Sequence, residues 1–159
     1  MSVDARKLEV DIELWSPADD FYNLLVNDTH HFITASPDTV QALDIHEGDG
    51  YTTGSIKSWT YCVEPGGAKE IFKERVVVDE QNKTMEMVAV SGNILEQYKT
   101  YKLVYTVFEK DGTGFVKLQL VYEKFRDTDL EPDQYLNFLT NLLKATDSYL
   151  FQKQRGTSH

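Results

Sequence analysis

Between residues 40 and 125 the chain is almost continuous strand material, and this stretch narrows the possible folds more than any other feature. Turn signals cut it at Gly48-Asp49-Gly50, Gly54, Pro65-Gly66-Gly67, Asp79 to Lys83, Gly92-Asn93 and Asp111-Gly112-Thr113-Gly114. These residue types supply positive φ or pre-set a reverse turn, and the pieces between them read as six strands of an antiparallel meander. Segment 6–15 adds a seventh strand, because Leu8, Val10, Ile12 and Leu14 alternate with Glu9, Asp11 and Glu13, the period-two pattern of a ribbon buried on one face. The run at about 97–109 would extend roughly 43 Å at 3.3 Å per residue. Strands of that length twist and coil, so the sheet is expected to curl.

Helical signals flank the strands. Ser16-Pro17 reads as an N-cap followed by proline at the first helical position, with Asp19 and Asp20 complementing the helix dipole in the first turn. That helix is expected to run to about Val26. A second short helix over Thr29 to Ala35 is stopped by Ser36-Pro37. After Glu131-Pro132, the residues Tyr135, Phe138, Leu139, Leu142, Leu143, Tyr149 and Leu150 recur three and four apart, which predicts one long amphipathic helix of some 22 residues and about 33 Å. Its length matches the sheet, so it is expected to lie in the concave face. Residues 1–153 then form a single α+β domain, and 154–159 a frayed tail.

With 159 residues and 41% apolar side chains, the chain can bury one core and is too short for two. The net charge of −10 and the absence of any Lys/Arg run speak against nucleic acid and anionic membrane surfaces as partners. Acidic residues punctuate the first thirty positions, so neither a signal peptide nor a membrane anchor is expected. The single cysteine, Cys62, has no disulfide or zinc-ligand companions and fits a cytoplasmic location.

Alternation assigns the inward faces. It turns Trp59 and Tyr61 to the concave side, with Phe72, Glu74 and Val76 on the next strand, then Met85, Met87 and Ala89, then Tyr101, Leu103 and Tyr105, and finally Val116, Leu118, Leu120 and Tyr122. A wall so rich in rings with polar tips has two readings. Either it lines a small-molecule pocket, or the rings fill the core and their hydroxyls reach the surface.

Several stretches, in order and spacing, resemble the superfamily of the birch pollen allergen (pathogenesis-related class ten, START-like) and, within it, the major latex proteins. They are His30-His31 through Ala35-Ser36-Pro37, His46-Glu47-Gly48-Asp49, Gly54-Ser55-Ile56-Lys57-Ser58-Trp59-Thr60-Tyr61, Lys73-Glu74-Arg75-Val76, Tyr98-Lys99-Thr100-Tyr101 and Tyr122-Glu123-Lys124. The resemblance covers essentially the whole chain. It implies a helix-grip fold, in which a seven-stranded curved antiparallel sheet wraps a long C-terminal helix and encloses an apolar cavity for hydrophobic ligands. Most relatives so implied are binders or carriers; some, such as norcoclaurine synthase, are enzymes of plant specialised metabolism, so the resemblance leaves catalysis open. One departure is Ser91-Gly92-Asn93, where relatives commonly carry Glu-Gly-Asp. It reads as loop drift or as a changed ligand.

The candidate ligand-binding set divides into an apolar wall of Trp59, Tyr61, Met87, Tyr101, Leu118, Phe138 and Leu142, and orienting groups Tyr135, Glu74, Lys57 and His31. Glu74, if inward, is a buried carboxyl with its pKa pushed toward acid–base range, or a partnered one that fixes a ligand. Lys57 shares the face of Trp59 and Tyr61, where it pairs with Glu74 or snorkels to solvent. The histidines His30, His31 and His46 match no metal-ligand spacing, and the Gly48–Gly54 loop lacks the Gly-Lys-Ser/Thr opening a helix that phosphate needs. Cys62 should point away from the pocket. The expected function is binding of a small hydrophobic plant metabolite, without metal or cofactor, by a monomer or weak dimer; the alternative is a cyclase or isomerase acting in the same cavity.

Overall fold

The seven strands form one open antiparallel sheet, in which the first strand lies beside the seventh and the second forms the opposite edge. The computed structural model describes residues 5–156. Its strands are β1 (Arg6–Glu13), β2 (Val40–Glu47), β3 (Ile56–Tyr61), β4 (Glu70–Asp79), β5 (Thr84–Gly92), β6 (Tyr98–Lys110) and β7 (Thr113–Lys124). Each of β2 to β7 pairs with its sequence neighbour, whereas β1 pairs with β7, Ile12 opposite Val116. Two helices, α1 (Ala18–Asn27) and α2 (His31–Ala35), therefore carry the chain from one edge of the sheet to the other. The longest hairpin, β6–β7, turns on Asp111 and Gly112, both at positive φ (54° and 80°), the conformation whose twist matches that of the flanking strands.

Alternation predicted the concave face well. On β7, Val116, Leu118 and Leu120 are wholly buried and Tyr122 nearly so, with partly exposed residues between them. The long helix α4 (Asp133–Gly156) lies across this face. Its backbone comes closest to β1 and α2, while α1 packs on β6 and β7. The helix is thus held near the rims of the curled sheet and stands off from β3 to β5, where side chains only partly bridge the gap.

The structure differs from expectation in three places. Pro17, not Ser16, occupies the N-cap of α1, without a side-chain cap. Asp147 on α4 claims the preceding residues instead: its carboxylate accepts the backbone N–H groups of Trp15 (2.7 Å) and Ser16 (3.0 Å). The long helix continues to Gly156, past the expected tail boundary at 153, and Gln154 donates to Asp20 Oδ2 at 2.9 Å; positions 157–159 of that tail lie outside the described residues. A four-residue helix, α3 (Ile94–Gln97), follows Gly92-Asn93, where only a turn was foreseen. No helix among the described residues is long and apolar enough to cross a membrane.

Candidate functional site

Where α4 stands off from the sheet, a cavity opens between it and β3 to β6. Its volume is about 70 Å³. Strands contribute Trp59 and Tyr61, Phe72 and Glu74, Met85 and Met87, and Tyr101, Leu103 and Tyr105; α4 contributes Tyr135, Phe138, Leu139 and Leu142; Thr29, Phe32, Val40 and Ile94 close the ends. Rings brace one another across the wall: Tyr61 stacks on Phe138 at 5.4 Å, Phe32 meets Trp59 at 5.7 Å and Phe72 meets Tyr101 edge-on at 5.9 Å. Large flat side chains that pack edge to face leave gaps which branched aliphatic ones would close.

One polar group is fully interior. Lys57 and Glu74 are register partners on β3 and β4, 1% and 2% exposed, with Nζ 4.0 Å from Oε2. The ammonium donates to Thr29 Oγ1 at 3.3 Å and lies 4.8 Å from the centre of the Tyr51 ring. Glu74 Oε2 accepts no hydrogen bond among the described residues. Burial pushes the Glu74 carboxyl up to about 7, against the pull of Lys57 and of the Trp59 indole. Burial likewise lowers the Lys57 ammonium, against the charges of Glu74 and Asp49. Each group lacks the water that would solvate its charge, and one long ion pair compensates only in part.

A second polar group caps the cavity where α4 begins. Glu70 Oε1 accepts from the Tyr61 hydroxyl at 3.1 Å and the Tyr135 hydroxyl at 2.9 Å, and the Gln97 amide donates to Tyr135 at 2.8 Å. The Tyr135 phenol is pushed up to about 12, first by burial and further by Glu70. Tyr101 and Tyr105, deep in the wall, are raised by burial. All these phenols are neutral donors at physiological pH.

The residues anticipated as apolar wall, Trp59, Tyr61, Met87, Tyr101, Phe138 and Leu142, line the cavity, as do the polar Tyr135, Glu74 and Lys57. Leu118 and His31 are not among its lining residues. Leu118 is wholly buried on β7, in the part of the sheet that α1 packs against. His31 sits at the start of α2, with Nδ1 3.1 Å from both the backbone oxygen and the carboxylate of Asp28 and its ring 5.6 Å from Tyr149. Glu70 was overlooked although it shares the period-two face of Phe72 and Glu74. Gln97 gave no signal, because it belongs to the unforeseen α3. Cys62 lies outside the lining, its thiol directed at the Asp38 carbonyl.

Two loops are accounted for internally. In the Gly48–Gly54 loop, Asp49 Oδ1 accepts the backbone N–H groups of Tyr51 and Thr52, both at 2.8 Å, and the hydroxyls of Thr52 and Ser55. Those donors hold its carboxyl far below the usual range, so the loop spends on its own carboxylate the groups that would cradle an external anion. At Ser91-Gly92-Asn93, the Asn93 side chain accepts the Ile71 N–H at 2.8 Å and so prolongs the β4–β5 pairing beyond Phe72 and Gly92. An aspartate could accept the same bond, so the departure removes charge and preserves the pairing.

Comparison with known proteins agrees with this architecture. The family model for the pathogenesis-related protein Bet v 1 family matches residues 3–153. MLP-like protein 28 of Arabidopsis thaliana is 34% identical over 151 residues, covering 93% of this chain and 44% of that protein. MLP-like protein 31 of the same plant is 32% identical, covering 93% and 87% respectively. The chain thus spans about half the length of the first of these relatives and most of the second. The crystal structure of ginseng major latex-like protein 151 from Panax ginseng superposes with a TM-score of 0.85 at 27% identity, covering 91% of this chain and 97% of that one.

Proposed function

The chain belongs to the pathogenesis-related protein Bet v 1 family, and from that membership and its aromatic cavity we propose that it binds a small, largely apolar plant metabolite bearing one or two oxygen functions. The observation that carries this reading is the placement of polar groups in an otherwise hydrocarbon wall. The Lys57–Glu74 pair on β3 and β4 and the Tyr61–Glu70–Tyr135 cluster that caps the cavity supply donors and acceptors for a guest's oxygens, and rings supply the area between. A cytoplasmic carrier acting as a monomer or weak dimer, without metal, is consistent with the lone buried thiol and the acidic exterior. The test is mass spectrometry under native conditions on protein purified from its own tissue. A stoichiometric organic guest, lost in the Phe138→Trp variant that fills the cavity, is the expected result; an empty protein that admits no apolar probe would refute it.

A second reading has its own support. Burial raises the Glu74 carboxyl to about 7, and its Oε2, 4.0 Å from the Lys57 ammonium, accepts no hydrogen bond among the described residues, the condition for a general acid–base group. Cyclisation or isomerisation of a reactive guest needs little more, since a shaped pocket supplies the conformer. Glu74→Gln separates the two: a carrier keeps its guest with a modest change in affinity, whereas an enzyme keeps binding and loses turnover.

A further inference from the structure

Lys57 is the only lysine among the residues lining the cavity, while the chain has eleven others. We propose that the Lys57 amine captures aldehydes that enter this cavity, forming an imine at Nζ with Glu74 as the proton shuttle. The inference rests on the cavity admitting a guest, as proposed above, and adds the chemical class that the site would retain.

Geometry and solvation carry it. An ammonium has three N–H donors to satisfy, and among the described residues its polar contacts are the hydroxyl of Thr29 and a carboxylate oxygen at the outer limit of an ion pair; the faces of Tyr51 and Trp59 attract the cation without replacing the hydration that burial removes. Such a site favours the neutral, nucleophilic amine over the cation, compared with a lysine in water. The difference is large in principle: at pH 7 an ordinary lysine exposes about one free amine in 2,500, and the fraction rises about tenfold for each pH unit by which burial lowers its pKa. Burial lowers that of Lys57.

The step balances without an external oxidant or reductant. Glu74 takes a proton from the ammonium; the Nζ lone pair attacks the aldehyde carbon, the C=O π pair goes to oxygen, and one of the two protons left on Nζ passes to that oxygen to give a neutral carbinolamine. Glu74 then returns its proton to that hydroxyl, which leaves as water as the C=N bond forms. Glu74 is 4.0 Å from Nζ in the resting state, a separation that a side-chain adjustment or one bridging water spans for proton transfer. An apolar wall opposes the reverse reaction, because hydrolysis needs a water that the guest excludes. Amines, acids and alcohols offer no electrophilic carbon to this arrangement.

The experiment incubates the full chain with octanal and cyanoborohydride at pH 7 and maps the reduced adduct by peptide mass spectrometry, with octan-1-ol displacement of a fluorescent naphthalene sulfonate run in parallel. The expected result is one octyl group on Lys57, at least about tenfold above the average of the other lysines, slowed in Glu74→Gln and absent in Lys57→Arg. Adducts spread over surface lysines while octan-1-ol displaces the probe would overturn the imine and leave the binding reading standing. Failure of both octan-1-ol displacement and Lys57 labelling would remove the two together. Mapping on the unsubstituted chain decides the matter even where a variant fails to fold.

Discussion

Lys57 and Glu74 illustrate how little a buried ion pair contributes to stability and how much it constrains chemistry. Because the Glu74 carboxyl is raised from its ordinary 4.5 to about 7, the folded chain holds a proton there that the unfolded chain has released. The contribution of this group is therefore most favourable below about 4.5 and is lost as pH rises through about 7, the reverse of a surface carboxylate in a salt bridge. Replacing both partners by apolar residues, Lys57→Met with Glu74→Leu, is expected to stabilise the fold by about 1–4 kcal/mol at pH 7, whereas Lys57→Met alone removes the charge that lowers the Glu74 carboxyl, so that the carboxyl takes up a proton and the loss stays below the roughly 3–5 kcal/mol of a broken buried pair. Urea denaturation at pH 5 and pH 7 checks both magnitudes: the gap between the double variant and the parent should widen at the higher pH. A gap that narrows would mean that Glu74 is ionised throughout.

At the level of elements, the strands follow from side-chain alternation, and the exceptions follow from tertiary contacts that alternation does not encode. The inward faces of β3 to β7 are buried as period two requires, Ala89 on β5 only partly, yet the same pattern could not tell which inward residues face the cavity. Leu118 and Tyr101 obey one rule, but α1 packs on β6 and β7, and Leu118 is covered while Tyr101 is not sealed off. The N-cap of α1 was misassigned for a similar reason, since Asp147, more than a hundred residues away in sequence, takes the N–H groups of Trp15 and Ser16. Asp147→Ala, which strands one buried and one partly buried donor between β1 and α1, is expected to cost about 2–4 kcal/mol, and Asp147→Asn less because one acceptor remains; thermal unfolding of the two variants measures the difference. Glycine is obligatory at residue 92, where φ is +124° and a Cβ would lie 2.1 Å from the Ile71 carbonyl oxygen. Gly92→Ala should therefore break the β4–β5 pairing beside Phe72 and Ile94, visible as faster amide exchange at Asn93 and Ile71 together with weakened probe binding.

For the whole molecule, the cavity sets stability against function. A helix held at the rims of a curled sheet leaves its middle underpacked, and every unfilled cubic ångström forfeits contact that a denser core would have. A guest restores that contact only while bound. At a concentration one hundred times its dissociation constant it adds about 2.7 kcal/mol. Phe138→Trp fills part of the same space permanently, extending the ring that already stacks on Tyr61. Two opposed changes should follow in one thermal-shift experiment. The guest-free variant should melt at or above the parent, because added apolar contact replaces emptiness, while the rise in melting temperature that octan-1-ol produces in the parent should be lost. A variant that melts lower and still responds to the alcohol would place the guest away from α4, and a parent that never responds would mean that the gap is too small to be entered. Leu142→Ala tests the opposite direction: it should lose about 2–5 kcal/mol when empty and recover more of that loss than the parent gains when a larger alcohol is added, because the guest then occupies the volume the side chain has vacated.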